Sequence, residues 1–139
     1  MYDINIWAVL VSAIAAIVIS SFWFSPALFG NMWTKLSGFS EADMAAAKAK
    51  GMSGMWKNYV GQIITSVIQM AVLAFFISIS NSLTAVDGAF IGFITWLGFA
   101  LTLQVTEIIW LKKSVKLTLI NTMNTLVCFI VGGLIIGMW

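Results

Sequence analysis

The chain has 139 residues, of which 61% are hydrophobic and 9% charged, and its mean hydropathy is +1.02. Ordinary soluble domains carry about 25% charged residues, so the apolar excess has to face lipid rather than water. The net charge of +2 comes from seven Lys against five acidic residues, with no Arg and no His, which argues against nucleic-acid binding, His-based metal sites and His acid–base catalysis.

The first apolar stretch runs over 4–24. Asp3 is the only charge near it, and no small-x-small cleavage site follows, so it reads as a retained span rather than a signal peptide. Ser25-Pro26 ends it, because the residue before a proline is pushed out of the α region. The same pair can open a short helix. Ser40-Glu41-Ala42-Asp43 then starts a second short helix, expected to run to about Lys50 with Gly51 as its C-cap. The segment 25–57 is therefore expected to be a helical connector at the membrane surface.

Three further apolar stretches follow, at 59–79, 89–110 and 117–139. At about 1.5 Å per residue each reaches roughly 30 Å, the thickness of the hydrocarbon core. They are too long for strands and do not alternate. Asn81-Ser82 and Ser114 supply turn chemistry, and Thr84 with Asp87 has capping-box spacing. The expected fold is all-α: a single membrane domain, 1–139, in which four helices form a bundle.

Lysine placement gives an orientation. Lys35, Lys48, Lys50 and Lys57 lie between the first two spans, and Lys112, Lys113 and Lys116 between the last two. All seven fall on one side, which the positive-inside rule puts in the cytoplasm, with both termini outside. Trp7 and Trp139 mark one interface, and Trp23, Trp33, Trp56, Tyr59 and Trp110 the other, as belt residues.

Polar groups gather toward the lysine side. Asn58, Gln62, Thr65, Ser66 and Gln69 fall within an arc of about 100° on the second span. The last span carries Thr118, Asn121, Thr122, Asn124, Thr125 and Cys128. The third carries Thr95, Thr102 and Thr106 on one face, and Gln104 and Glu107 on another. An amide facing lipid costs several kcal/mol, so these groups should face protein or water. They serve either as glue between helices, at about 0.6 kcal/mol per pair, or as the lining of a cytoplasm-facing cavity. The candidate cavity set is Asn58, Gln62, Gln69, Gln104, Glu107, Asn121 and Asn124. Glu107 is the one acid inside a span, and its bland role is to pair with a lysine such as Lys57 or to snorkel to water. Gly88 with Gly92, and Gly133 with Gly137, form GxxxG motifs that suit close helix contact within the bundle or between subunits.

No nucleophile–base pair, phosphate loop or metal-ligand spacing is present in the sequence. Ser114 beside Lys113 is adjacent in sequence only. Neither catalysis nor a metal or other cofactor is expected, and Cys128 has no second cysteine to pair with.

Trp23-Phe24-Ser25-Pro26, Leu28-Phe29-Gly30, Trp33 and Gly38-Phe39-Ser40-Glu41-Ala42-Asp43-Met44 together resemble the bacterial membrane family catalogued as domain of unknown function 1761. Trp96-Leu97-Gly98-Phe99, Lys116-Leu117-Thr118-Leu119-Ile120-Asn121 and the Gly-rich final stretch resemble it too. Members often carry an acid, two basic residues and a proline before the last helix. Here that stretch reads Leu111-Lys112-Lys113-Ser114, without the acid and the proline. The resemblance implies four spans and a bacterial inner membrane, and brings no activity or ligand. Trp23, Ser25, Pro26, Phe29, Gly30 and Trp33 carry its signature beside the polar cluster, as a docking turn or as a gate.

Three functions are consistent with these features. The first is a non-enzymatic membrane protein that binds or passes a small solute, ion or lipid through the polar cavity. The second is a structural or partner-binding subunit without a ligand, and the third a membrane-embedded enzyme. Expected partners are the bilayer and further copies of the chain in a homo-oligomer, since four short spans bury little of themselves.

Overall fold

The structure is a computed structural model that describes residues 3–81 and 84–139. Helix α1, Ile6–Trp23, starts at Asn5, whose Oδ1 accepts a hydrogen bond from the Trp7 backbone N–H at 2.9 Å. It stops just before Ser25-Pro26. A tight turn leads into α2, Gly30–Leu36. Helix α3, Glu41–Ile79, opens with a complete capping box. The Ser40 hydroxyl accepts from the Asp43 N–H at 3.1 Å, and the Asp43 carboxylate accepts from the Ser40 N–H at 3.0 Å. Those bonds, the backbone one first, hold the Asp43 carboxyl below its ordinary value.

Gly51 does leave the helical region (φ 57°, ψ −156°), as a C-cap glycine would. The expected short helix therefore ends there, and a second helix starts directly after the kink without an intervening loop and carries the second span. The helix that carries the 59–79 apolar stretch begins earlier, at Ser53.

The third span is also more than one helix. Helix α4, Ala85–Thr95, is capped by Thr84, whose Oγ1 accepts from the Asp87 N–H at 3.1 Å. A π-helical segment, Trp96–Leu101, follows, and then α5, Thr102–Leu111. Lys112 ends it in the left-handed region (φ 51°). Ser114 then caps α6, Val115–Met138. The expected turn at Asn81-Ser82 is described only at Asn81, which is left-handed with φ 53°. Ser82 lies outside the described residues.

Among the described residues, four helices are long and apolar enough to cross a membrane: Ile6–Trp23, Ser53–Ile79, Ala85–Leu111 and Val115–Met138. Helix α6 is the hub, packed by α4, α1 and α3. Against α4 the contact is backbone to backbone. A Cβ on Gly88 would collide with the Gly133 carbonyl, and one on Gly92 with the Phe129 carbonyl. Gly133 and Gly137 meet α4 in the same way. Both GxxxG motifs are thus used within the bundle. Against α1 and α3 the core is built from Val9, Ala13, Ala16, Met70, Leu73, Ala74 and Ile77, all buried. Ser12 lies among them and donates to the Gly132 carbonyl at 3.4 Å.

Candidate functional site

The up-down course of the four helices places the 24–57 and 111–116 connections, with every lysine, at one end of the bundle. In that half α1, α3 and α6 stand apart around a cavity of about 220 Å³. Ser20 and Phe24 line it from α1 and the turn after it, Gln62, Ser66 and Gln69 from α3, and Asn121, Asn124, Thr125 and Cys128 from α6. Ala16 forms the apolar limit on α1. Helical periodicity explains the alignment. Gln62, Ser66 and Gln69 are spaced four and three apart, and Asn121, Asn124 and Cys128 three and four apart.

The lining holds amides, hydroxyls and one thiol, with no carboxylate and no ammonium group. The α6 side is tied to its neighbours. Asn124 Nδ2 donates to Ser20 Oγ at 3.1 Å. The Cys128 thiol donates to the Ala16 carbonyl at 3.6 Å. Asn121 Oδ1 accepts from the Trp33 indole N–H at 3.1 Å. The Thr125 hydroxyl donates back to the Asn121 carbonyl, 3.0 Å away.

The α3 side is not tied across. Gln62 Nε2 donates to Ser66 Oγ on its own helix at 3.2 Å. The Gln69 side chain is exposed and makes no hydrogen bond to the described residues. At 1.5 Å per residue, Gln69 stands about 15 Å along α3 from Tyr59, a distance equal to half the thickness of a hydrocarbon core.

The structure brings together four of the seven proposed cavity residues: Gln62, Gln69, Asn121 and Asn124. Asn58 lies exposed on α3 outside the lining. Gln104 is on α5, away from the cavity, with its Oε1 buried and unbonded among the described residues. Glu107 pairs not with Lys57 but with Lys113, at 2.6 Å, both half exposed. The left-handed turn at Lys112 folds the chain back, so a lysine six residues away outcompetes one on another helix. Thr95, Thr102 and Thr106 each donate to the carbonyl four residues back, at 2.8, 2.7 and 2.9 Å, so these hydroxyls are satisfied by their own helix.

The signature turn lies beside the cavity, to which it contributes Phe24. The backbone N–H groups of Leu28 and Gly30 both bond the Ser25 carbonyl, and Phe29 N–H bonds the Trp23 carbonyl. Gly30 is required there because a Cβ would collide with the Phe24 and Ser25 carbonyls. Pro26 is exposed at the corner, and the Ser25 hydroxyl donates to the Phe22 carbonyl at 2.6 Å. Trp23 and Trp33 are not simple belt residues. The Trp23 indole donates to the Ile120 carbonyl at 3.0 Å, and the Trp33 indole to Asn121, so both pin the turn to α6. Phe24 packs edge-on to Trp33 with centroids 5.6 Å apart, and Phe29 lies 4.8 Å from Trp23. Trp56, Tyr59 and Trp110 are exposed.

Ala16, Ser20, Phe24, Ser66, Thr125 and Cys128 line the cavity from outside the candidate set. The sequence marks Ser66, Thr125 and Cys128 as polar groups on their helices, whereas it does not place Ser20 and Phe24 in the polar cluster. Ser20 was legible only as a small residue on α1, although an Asn–Ser bond across helices is a familiar membrane contact. A second, larger cavity of about 380 Å³ lies at the opposite end, between the ends of α1, α3 and α6, and includes Asp3, Asn5, Ser78 and Trp139. No curated protein and no solved structure matches the chain. The model of the family described as "Protein of unknown function (DUF1761)" matches residues 7–137, so this multi-pass membrane bundle belongs to that family.

Proposed function

We propose that the protein is a non-enzymatic binding protein whose lysine-side cavity takes a small uncharged polar group from the solvent or the membrane. One observation carries the reading. Gln62 and Gln69 project amides at the cavity without bonding any other helix. Interhelical glue contributes about 0.6 kcal/mol per pair, whereas an amide left facing hydrocarbon costs several. Amides that bind no neighbouring helix are therefore poorly explained as glue within the chain, and well explained as donors and acceptors for a ligand. The uncharged lining favours a neutral group over an ion. The lysine distribution favours a cytoplasmic opening and extracytoplasmic termini in a bacterial inner membrane.

Ligand-observed NMR on the protein in nanodiscs of deuterated lipid would test this, with glycerol and acetamide as neutral probes and acetate and methylammonium as charged ones. The neutral probes should receive saturation from the protein, and Gln62→Leu and Gln69→Leu should each reduce it while changing stability by less than about 0.5 kcal/mol. Transfer that both variants leave unchanged would overturn the cavity assignment.

A second reading is favoured by the rest of the α3 flank. Asn58, Gly61, Gln62, Thr65 and Gln69 are all exposed, and a Cβ on Gly61 would meet nothing. Small and amide residues on one exposed flank suit a helix from a second copy, giving a homo-oligomer. In that case Gln62→Leu would dissolve a complex seen on native gels.

A further inference from the structure

The polar cavity does not end in a wall. Gln69 also lines an apolar groove of about 340 Å³, formed by Ile68, Val72, Leu73 and Phe76 of α3, Thr95 and Phe99 of the third span, and Phe129 of α6. The groove continues past Phe76, Thr95 and Phe99 to Phe90, Ile91 and Ile94 on α4. On α6, Thr125 of the cavity and Phe129 of the groove are one turn apart. Along the bundle, amides line the lysine side up to Gln69, and a largely apolar trough continues beyond it toward the opposite end.

The π segment shapes that trough. Trp96 is buried, its indole N–H bonded to the Thr122 carbonyl at 2.9 Å. The wide turn after it leaves Phe99 exposed, with its ring 6.4 Å from Phe76 and nearly parallel to it, at 12°. A π turn inserted in an α-helix is often found at a functional site. Here it lies beside the junction of polar and apolar surfaces.

We infer that the occupant is an uncharged amphiphile, whose hydrogen-bonding head sits among Gln62, Gln69 and Asn121 and whose single apolar chain lies in the Ile68–Phe76 groove. This rests on the binding reading above and narrows it. At about 220 Å³ the cavity falls short of the roughly 300–1,000 Å³ of most ligand sites, so it suits a head and not a whole molecule. The groove supplies the missing volume. No lysine lines either part, so a phosphate or carboxylate head would enter without a counter-charge, at prohibitive desolvation cost. A hydroxyl, carbonyl or amide head can reach mid-membrane once Gln69 satisfies it, and α3 and the π segment would leave the chain its lipid-facing side.

The test uses the whole chain in nanodiscs and a monoacylglycerol that carries a photoreactive diazirine in its chain. Its charged counterpart is a lysophosphatidic acid with the same chain. Mass spectrometry should place the monoacylglycerol label within residues 68–76 or 90–99, about tenfold above the charged probe. Gln69→Leu should cut that labelling about tenfold, the equivalent of one well-formed hydrogen bond in a desolvated site. Val72→Trp, which fills the groove from an exposed position, should abolish labelling yet preserve saturation transfer to glycerol. Ile68→Trp serves the same purpose if Val72→Trp fails to fold.

If glycerol and acetamide bind while the groove is never labelled above the bilayer background, the amphiphile is wrong and the small-solute reading stands. If neither binds, both fail. Equal labelling by the neutral and charged probes would overturn the uncharged head. Equal labelling of the wild type and Gln69→Leu would overturn the role of that amide. Loss of a native-gel oligomer in Gln69→Leu would show that a second copy, not an amphiphile, covers the flank.

Discussion

The two halves of α6 use opposite strategies. Its far half, at Gly132, Gly133 and Gly137, removes side chains so that backbones touch α4 and core side chains reach in. Its lysine-side half, from Thr118 to Cys128, keeps polar side chains, ties Asn124 and Cys128 to α1, and borders a cavity that α3 lines from the other side. One helix thus provides a rigid clamp at one end and a polar chamber at the other. In a bilayer, where helices gain little from hydrophobic association, close packing is what secures the clamp. The chamber can be polar because the clamp holds the bundle without it.

The largest test of that contrast is Gly92→Leu, which forces a side chain into the Phe129 carbonyl. It should cost at least about 3 kcal/mol or prevent folding, read as thermal unfolding in detergent. Gly61→Leu, where nothing stands near, should stay within about 0.5 kcal/mol. Equal losses at the two positions would break the contrast.

Asn124→Leu probes the chamber and should cost about 1–3 kcal/mol, because the Ser20 hydroxyl loses its amide partner. A loss as large as that of Gly92→Leu would mean that the chamber, too, holds the bundle together. Trp33→Phe should cost about 1 kcal/mol by removing the indole bond to Asn121. Trypsin cleavage at Lys35, which lies in α2, should then become several-fold faster if the turn is held mainly by that bond.

The smallest effect lies outside both halves, at the start of α3. The Asp43 carboxyl is lowered by its Ser40 bonds, so the ionised form stabilises the folded helix start. That contribution is complete above the ordinary carboxyl value of 3.8 and is lost as pH falls through the lower folded value. Backbone carbon shifts of residues 41–46 should move toward coil on acidification, and Asp43→Ala should lack that transition.

The four spans were legible because hydrophobic length is a strong signal in a chain with so few charges. The π segment was not, since one extra residue in a turn leaves no mark on composition. The glycine pairs showed close contact but not with whom, because a helix face has no address in a single sequence. Trp23 and Trp33 looked like interface aromatics, and only three dimensions show their N–H groups aimed at α6. Gln62, Gln69, Asn121 and Asn124 were legible as a polar cluster from their spacing and depth. Gln104 and Glu107 shared that depth and still fell outside it, because they lie on α5, which does not line the cavity.

Helix α6 is the last of the four to be synthesised, yet the other three pack on it. Until it emerges, the indoles of Trp23 and Trp96 lack their carbonyl acceptors, and the glycines of α4 face no partner. Before then α1 can pack on α3, but the bundle is incomplete and α4 lacks its main partner. Assembly becomes a late event, set by the release of α6 and not by the order in which spans enter the membrane. A chaperone or insertase that shelters α4 during that interval would be guarding an exposed glycine seam.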